Sequence, residues 1–198
     1  MVGNPEDEQA LIRLARRGDL DAFNALVLRF QDSAYTLAFR IMGDPHSAAD
    51  AAQEAFITAY RRLNTYRGGS FRAWVLRITT NQCYDEMRRR QRRPAVSVED
   101  MGDEPALPDD ADTPEEVVQQ RELNRAIQEC IGALNPDQRV VLVLCDVEGL
   151  DYQAIADQLG AQIGTVKSRL SRARASVRDC LQGVRELLPS AYRLISDD

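Results

Sequence analysis

The sequence predicts an all-α fold made of two small helical domains. Three observations carry this. Apolar residues recur at three- and four-residue intervals, glycine and proline fall between those periodic segments, and alternating β-branched runs are absent. The 198 residues are 44% hydrophobic and 28% charged, enough apolar material for packed cores. Between residues 94 and 113 the periodicity stops in a stretch with Pro94, Pro105 and Pro108 and many acids. Such a stretch cannot bury enough apolar surface to offset ordering, so it is expected to connect the two domains flexibly. The expected organisation is a first domain over 1–93, a linker over 94–113, a second domain over 114–187 and a tail over 188–198.

Taken in order, helices are expected near residues 6–17, 19–42, 45–64 and 70–90, then 114–133, 136–147, 151–159 and 163–187. Their starts are marked by cap residues: Asp19, Asp44 before Pro45, Ser70, Thr113 before Pro114 with Glu116 three positions on, and Asn135 before Pro136. In "AADAAQEAFITAYRRL", Ala49, Ala52, Phe56, Ala59 and Leu63 form the expected buried stripe. Asp50, Gln53, Glu54, Ile57 and Arg61 share another side, which periodicity alone reads as a solvated charged face.

In "YRGGSFRAWVLRITTNQCYDEMRRRQRR", Tyr66, Phe71, Trp74 and Tyr84 alternate with Arg67, Arg72, Arg77 and Arg88. Arg77, Asn81, Asp85 and Arg88 lie along one polar stripe. Aromatic rings beside cations suit unstacked bases, because each stacked base contributes ~1–3 kcal/mol while arginine neutralises the backbone. The bland reading keeps Phe71 and Trp74 in the core with solubilising arginines around them; Phe71 is expected to be buried.

The segment "DYQAIADQLGAQIGTVKSRLSRARASVRDCL" has the form of a helix-turn-helix. Tyr152, Ile155, Ala156 and Leu159 share one face of a short helix, Gly160 occupies the turn, and Val166, Leu170, Ala173, Val177 and Leu181 fix the buried face of a longer helix. The opposite face carries Ser168, Ser171, Arg172 and Ala175, flanked by Thr165, Lys167, Arg174 and Arg178. Small residues at the centre and cations at the edges suit a helix lying in a major groove.

The net charge of −6 argues at first against a polyanionic partner, but charge is segregated. Ten arginines between Arg61 and Arg93 face only Asp85 and Glu86, and the stretch from Lys167 to Arg178 holds no acid. With a Debye length of ~8 Å, distant acids do not cancel local basic surfaces. Cys83, Cys130, Cys145 and Cys180 form no C-x-x-C pair, and His46 is the sole histidine. No zinc set and no usual nucleophile-base pair is therefore visible, and the cysteines are read as buried thiols. No cofactor or metal is expected. No apolar run approaches the ~20 residues of a membrane span, and the N-terminus is unlike a secretion signal.

The order of "DAAQEAF" and "GTVKSR" across an acidic connector resembles the extracytoplasmic-function (ECF) sigma factors, bacterial RNA polymerase subunits, over nearly the whole chain. The resemblance implies a transcription initiation factor, not an enzyme, that binds polymerase core and promoter DNA and is held by an anti-sigma protein. It implies that Asp50, Gln53, Glu54 and Phe56, with Ile57 and Arg61 on the same helix, form or support the polymerase-docking surface. Trp74, Arg77, Asn81, Asp85 and Arg88 would recognise and open the minus 10 element. Thr165, Lys167, Ser168, Ser171 and Arg172 would read the minus 35 element, with Arg169 nearer the buried edge and assigned to phosphate or a partner. The expected location is the cytoplasm, with an anti-sigma partner able to hold the chain near the membrane but no membrane insertion.

The turn Ala161, Gln162, Ile163 departs from relatives that place Ser or Pro after an apolar residue, which weakens the cap of the recognition helix. In relatives the connector threads past the polymerase active-site channel, where acids would occupy space otherwise taken by nucleic acid; unchanged abortive-transcript yield after replacing those acids would contradict this. A conventional helix-turn-helix regulator would use only the second half and bind duplex without polymerase. A helical enzyme would need a convergent acid, base or metal set.

Overall fold

Asp19 shows how directly the local sequence sets this fold: its carboxylate accepts a hydrogen bond from the Ala22 amide at 3.0 Å and starts a helix where the cap was expected. The computed structural model describes residues 5–92 and 114–184. Eight α-helices run through them: α1 Pro5–Arg16, α2 Leu20–Met42, α3 Pro45–Arg62, α4 Phe71–Arg92, α5 Pro114–Gly132, α6 Pro136–Leu142, α7 Tyr152–Leu159 and α8 Ile163–Gln182. A 3-10 turn, Leu63–Thr65, extends α3, and a π-helical turn, Val143–Val147, extends α6. There is no strand among the described residues. The acidic connector and the C-terminal tail lie outside them. The chain divides into two compact units, Met1–Ala38 with His46–Val96, and Phe39–Pro45 with Ser97–Asp198.

In the first unit the core is built from Ile12 and Ala15 of α1, Leu26, Phe30 and Ala34 of α2, Ala55, Phe56 and Ala59 of α3, and Phe71, Val75 and Ile78 of α4. Small residues on the inner face of α3 allow close helix approach. Of the expected stripe, Ala52, Phe56, Ala59 and Leu63 are buried and Ala49 is exposed; Ala48, Ala51 and Ala55 join the buried side instead. Arg16 ties α1 to the α3–α4 connection, donating to the carbonyls of Leu63 and Tyr66 and lying 5.7 Å from the Tyr66 ring centroid. The Tyr66 hydroxyl in turn donates to the Gly69 carbonyl at 2.6 Å, and Ser70 caps α4 through the Ala73 amide.

In the second unit α8 is the shared wall against which α5, α6 and α7 all pack. Asn135 caps α6 by accepting from the Gln138 amide at 3.0 Å, and Asp151 caps α7 by accepting from the Ala154 amide at 2.8 Å. Gly160 ends α7 with φ +61°, a left-handed conformation that glycine adopts without a Cβ penalty. Val166, Leu170 and Ala173 of α8 are buried, and Val177 and Leu181 only half-buried.

Tyr152 is exposed, while Ile155 and Ala156 of the same helix are buried. One expectation is corrected here. The cysteines are not all buried thiols: Cys130 and Cys180 form a disulfide between α5 and α8, Cys180 is exposed, and Cys145 is half-buried. Only the pairing of two helices in space brings Cys130 and Cys180 together, and their separation of 50 residues gave no sign of it.

Candidate polymerase and nucleic-acid interfaces

On α3 the inward turn of the alanine stripe leaves Asp50, Gln53, Glu54 and Arg61 exposed and Ile57 half-buried. Phe56 is buried beneath them at 8% exposure, so it supports this surface from below instead of presenting its ring. Beside the polar stripe runs an apolar groove of about 790 Å³ between α2 and α3. Its walls include Leu20, Phe23, Val27 and Tyr35 from α2 and Ile57 and Tyr60 from α3. The α2 contribution was missed in the sequence. Its signal is a second apolar stripe, Leu20, Phe23, Val27, Tyr35, which is easily absorbed into one broad core face when read from spacing alone. Leu20 at 58% and Leu28 at 68% exposure show that α2 carries more apolar surface than its own unit covers.

Along α4, Arg77, Asn81, Asp85 and Arg88 are all exposed and follow one another at helical spacing, while Val75, Leu76, Ile78 and Thr79 are buried on the other side. The Thr79 and Thr80 hydroxyls donate to the carbonyls of Val75 and Leu76, so the buried side leaves no hydroxyl unsatisfied. Arg88 is ion-paired with Asp85 one turn back, and both side chains remain largely exposed. Trp74 is half-buried, its ring 5.4 Å from Phe71 and 5.5 Å from Tyr66 by centroids. Phe71 is fully buried. The aromatic cluster thus fixes the first turn of α4 and leaves the polar stripe outward.

On α8, Lys167, Ser168, Ser171 and Arg172 are exposed, and Thr165 is half-buried at the start of the helix. Gln162 stands at the cap position with no side-chain cap bond; its backbone carbonyl accepts from the Thr165 and Val166 amides instead. The helix therefore starts where expected despite the weak cap. Three of the cations near this face have internal partners. Arg169 contacts Asp137 of α6 at 2.5 Å, Arg174 meets Asp146 at 2.5 and 2.9 Å, and Arg178 lies 3.8 Å from the exposed Asp179 carboxylate. The hydrogen bond and charge of Asp146 push the Arg174 guanidinium above its already high pKa. The Lys167 ammonium stands 5.9 Å from the ring centroid of the exposed Tyr152, whose ring helps to wall a shallow cleft with Lys167, Ser171 and Arg178.

Residues 26–93 match the Sigma-70 region 2 family and residues 124–177 match Sigma-70, region 4. The RNA polymerase sigma-H factor of Pseudomonas aeruginosa is 39% identical over 185 residues, covering 89% of this chain and 95% of that one. The chain belongs to the ECF family of RNA polymerase sigma factors.

The ECF sigma factor SigE of Mycolicibacterium smegmatis is 38% identical over 169 residues, 82% of this sigma factor and 62% of that relative's length. Among solved structures, CnrH in complex with the cytosolic domain of CnrY superimposes with a TM-score of 0.63 at 26% identity, covering 89% of this chain and 98% of that one. Sigma factor RpoE bound to the anti-sigma factor NepR from Bartonella quintana shares the fold, with a TM-score of 0.63 at 23% identity over 81% of this chain and 96% of that one. Membership displaces the reading as a conventional helix-turn-helix regulator, because the first half is itself a sigma region. It also shows that α1 and Cys180 lie outside the matched segments of this sigma factor.

Proposed function

We propose that this sigma factor docks on core RNA polymerase through the α3 stripe and the adjoining α2–α3 groove, reads the minus 35 element with α8, and captures unpaired minus 10 bases with α4. The observation that carries this is the α8 face. Val166, Leu170 and Ala173 are at most 2% exposed, which obliges Ser168, Ser171 and Arg172 to face outward on one side of a regular helix. Short hydroxyls let the backbone approach base edges, Arg172 can reach a guanine bidentately, and Lys167 suits a phosphate.

On α4 the outward stripe offers Arg77 for backbone charge and Asn81 for base edges, with Trp74 and the paired Asp85 and Arg88 at its borders. Asp50, Gln53 and Glu54 beside an apolar groove give the mixture of desolvatable surface and orienting charge that a specific protein interface needs. The relatives solved in complexes support a further partner of this sigma factor, an anti-sigma protein. Phosphodiester chemistry remains with the polymerase; this chain supplies recognition, and its place of work is the cytoplasm.

A gel shift on duplex carrying the minus 35 element, with and without purified core enzyme, tests the reading. The sigma factor is expected to bind the promoter tightly only with core present. Equal affinity without core would favour an independent DNA-binding regulator.

A further inference from the structure

Disulfides rarely persist in the cytoplasm, where thiol pools keep cysteines reduced, and the ones found there are mostly transient or sensing. The Cys130–Cys180 bond therefore calls for a reason, given the place of work proposed above for this sigma factor. Cys130 sits near the end of α5 and is buried, whereas Cys180 occupies the last turn of α8 and is exposed. Their Cα atoms are 5.7 Å apart, within the range usual for a bridged pair.

The position of the bond gives it leverage. The deeply buried residues of α8 end at Ala173; beyond it Val177 and Leu181 are only half-buried. The last two turns of the recognition helix thus carry no deeply buried side chain among the described residues, and the bond to α5 is a covalent tie at that end. The other two cysteines are poor candidates for the same chemistry. Cys83 is buried in the first unit with its thiol pushed up to about 12, chiefly by burial. Cys145 is half-buried, and burial together with the Asp146 carboxylate raises its pKa as well.

We propose that Cys130 and Cys180 form a reversible redox switch that sets how firmly the C-terminal end of α8 is held against α5, and through it how well the sigma factor uses the minus 35 element. This rests on the initiation-factor reading for its consequence, though not for its chemistry. Starting from the dithiol, the Cys180 thiolate attacks one sulfur of a small-molecule disulfide such as oxidised glutathione and expels one thiolate. The deprotonated Cys130 sulfur then attacks Cys180 Sγ in the mixed disulfide and expels the second thiolate. Two S–H bonds are lost and one S–S bond forms in the protein, while two electrons pass to the glutathione disulfide, which becomes two thiols. Reduction runs the same steps backwards, entering at the exposed Cys180 sulfur.

The full chain, equilibrated in buffers of reduced and oxidised glutathione and quenched with a mass-tagged alkylating agent, tests this together with melting and run-off transcription on purified core enzyme. Cys130 and Cys180 should gain and lose label together while Cys83 and Cys145 label alike at both ends. Reduction should lower the melting temperature of the second unit by on the order of 10 °C, as expected for opening a long loop. Run-off yield from a promoter that depends on its minus 35 element should fall severalfold, and C130S or C180S should behave as the reduced wild type in either buffer. The wild-type comparison has one sequence in both states, so it does not depend on the variants folding.

Three results would each overturn the switch: no bond at the oxidising end, a bond that survives excess reduced glutathione with a thioredoxin-type dithiol, or a melting temperature or a measurable run-off yield that is equal in both states. Labelling and melting need no polymerase. A chain that passes both yet never directs the polymerase would break the initiation-factor reading and leave the thiol chemistry standing, whereas equal transcription in both states breaks the switch alone.

Discussion

The Arg169 guanidinium reaches back from α8 to the Asp137 carboxylate at the start of α6, at 2.5 Å. This contact divides the basic helix into cations with internal partners and cations that face solvent. Arg172, one turn on, is exposed. Arg172→Ala should weaken recognition of the minus 35 element by about 1–3 kcal/mol and relax base preference at one position. Arg169→Ala should leave base preference intact and lower the stability of the second unit by about 0.2–1 kcal/mol, a small effect because both partners are partly solvated. Competition binding of the polymerase complex across a promoter library, with urea unfolding of each variant, separates the two.

Glu54 lies on the exposed face of α3, above the buried Ala55 and Phe56. Glu54→Arg should therefore leave the melting temperature unchanged while weakening association with core polymerase by roughly tenfold or more, since a reversed charge at an interface opposes docking without disturbing the core. Fluorescence anisotropy of labelled sigma factor titrated with core enzyme reads this. An unchanged affinity would move the docking face elsewhere.

Gly160 joins the two helices of the DNA-reading motif at φ +61°, and a Cβ there would meet no atom within 4 Å. Space is available, so the left-handed backbone alone sets the penalty. Gly160→Ala should destabilise the second unit by about 1–2 kcal/mol, and Gly160→Asn by less, because asparagine tolerates that conformation. Urea unfolding followed by circular dichroism measures both.

Burial raises the Cys83 thiol from 9.0 to about 12. In the unfolded chain this thiol ionises near its ordinary value, while folding keeps it neutral. Above pH 9 the unfolded state thus holds fewer protons, and stability falls as pH rises towards 12, by up to roughly 1.4 kcal/mol per pH unit. The same stability is fully present below pH 9. Cys83→Ala should have a shallower decline between pH 9 and 11 than the wild type in urea titrations, because all other titrating groups are common to the two proteins.

The helices were legible because cap chemistry and apolar period agreed: Asp19, Ser70 and Asn135 each cap the helix they were expected to start. The outward faces of α4 and α8 followed from the same periods. Where spacing alone could not decide, packing did. In "AADAAQEA" alanines occupy several faces at once, so nothing in the period chooses Ala48 over Ala49 for the core. Tyr152 shares the apolar side of α7 by spacing, yet it is exposed and its ring lies 5.9 Å from the Lys167 ammonium at the surface. The groove on α2 stayed hidden because two apolar stripes on one helix read as a single wide one. The disulfide depends on which helices become neighbours, which lies beyond any local pattern.

The most direct measurement is run-off transcription by purified bacterial core polymerase with and without this chain, on a library of genomic promoters. The account predicts that adding the chain creates start sites absent with core alone, at promoters sharing a minus 35 and a minus 10 element, and that Glu54→Arg and Arg172→Ala each reduce that output. Start sites that do not change when the chain is added, with core polymerase shown to be active by another sigma factor, would contradict it.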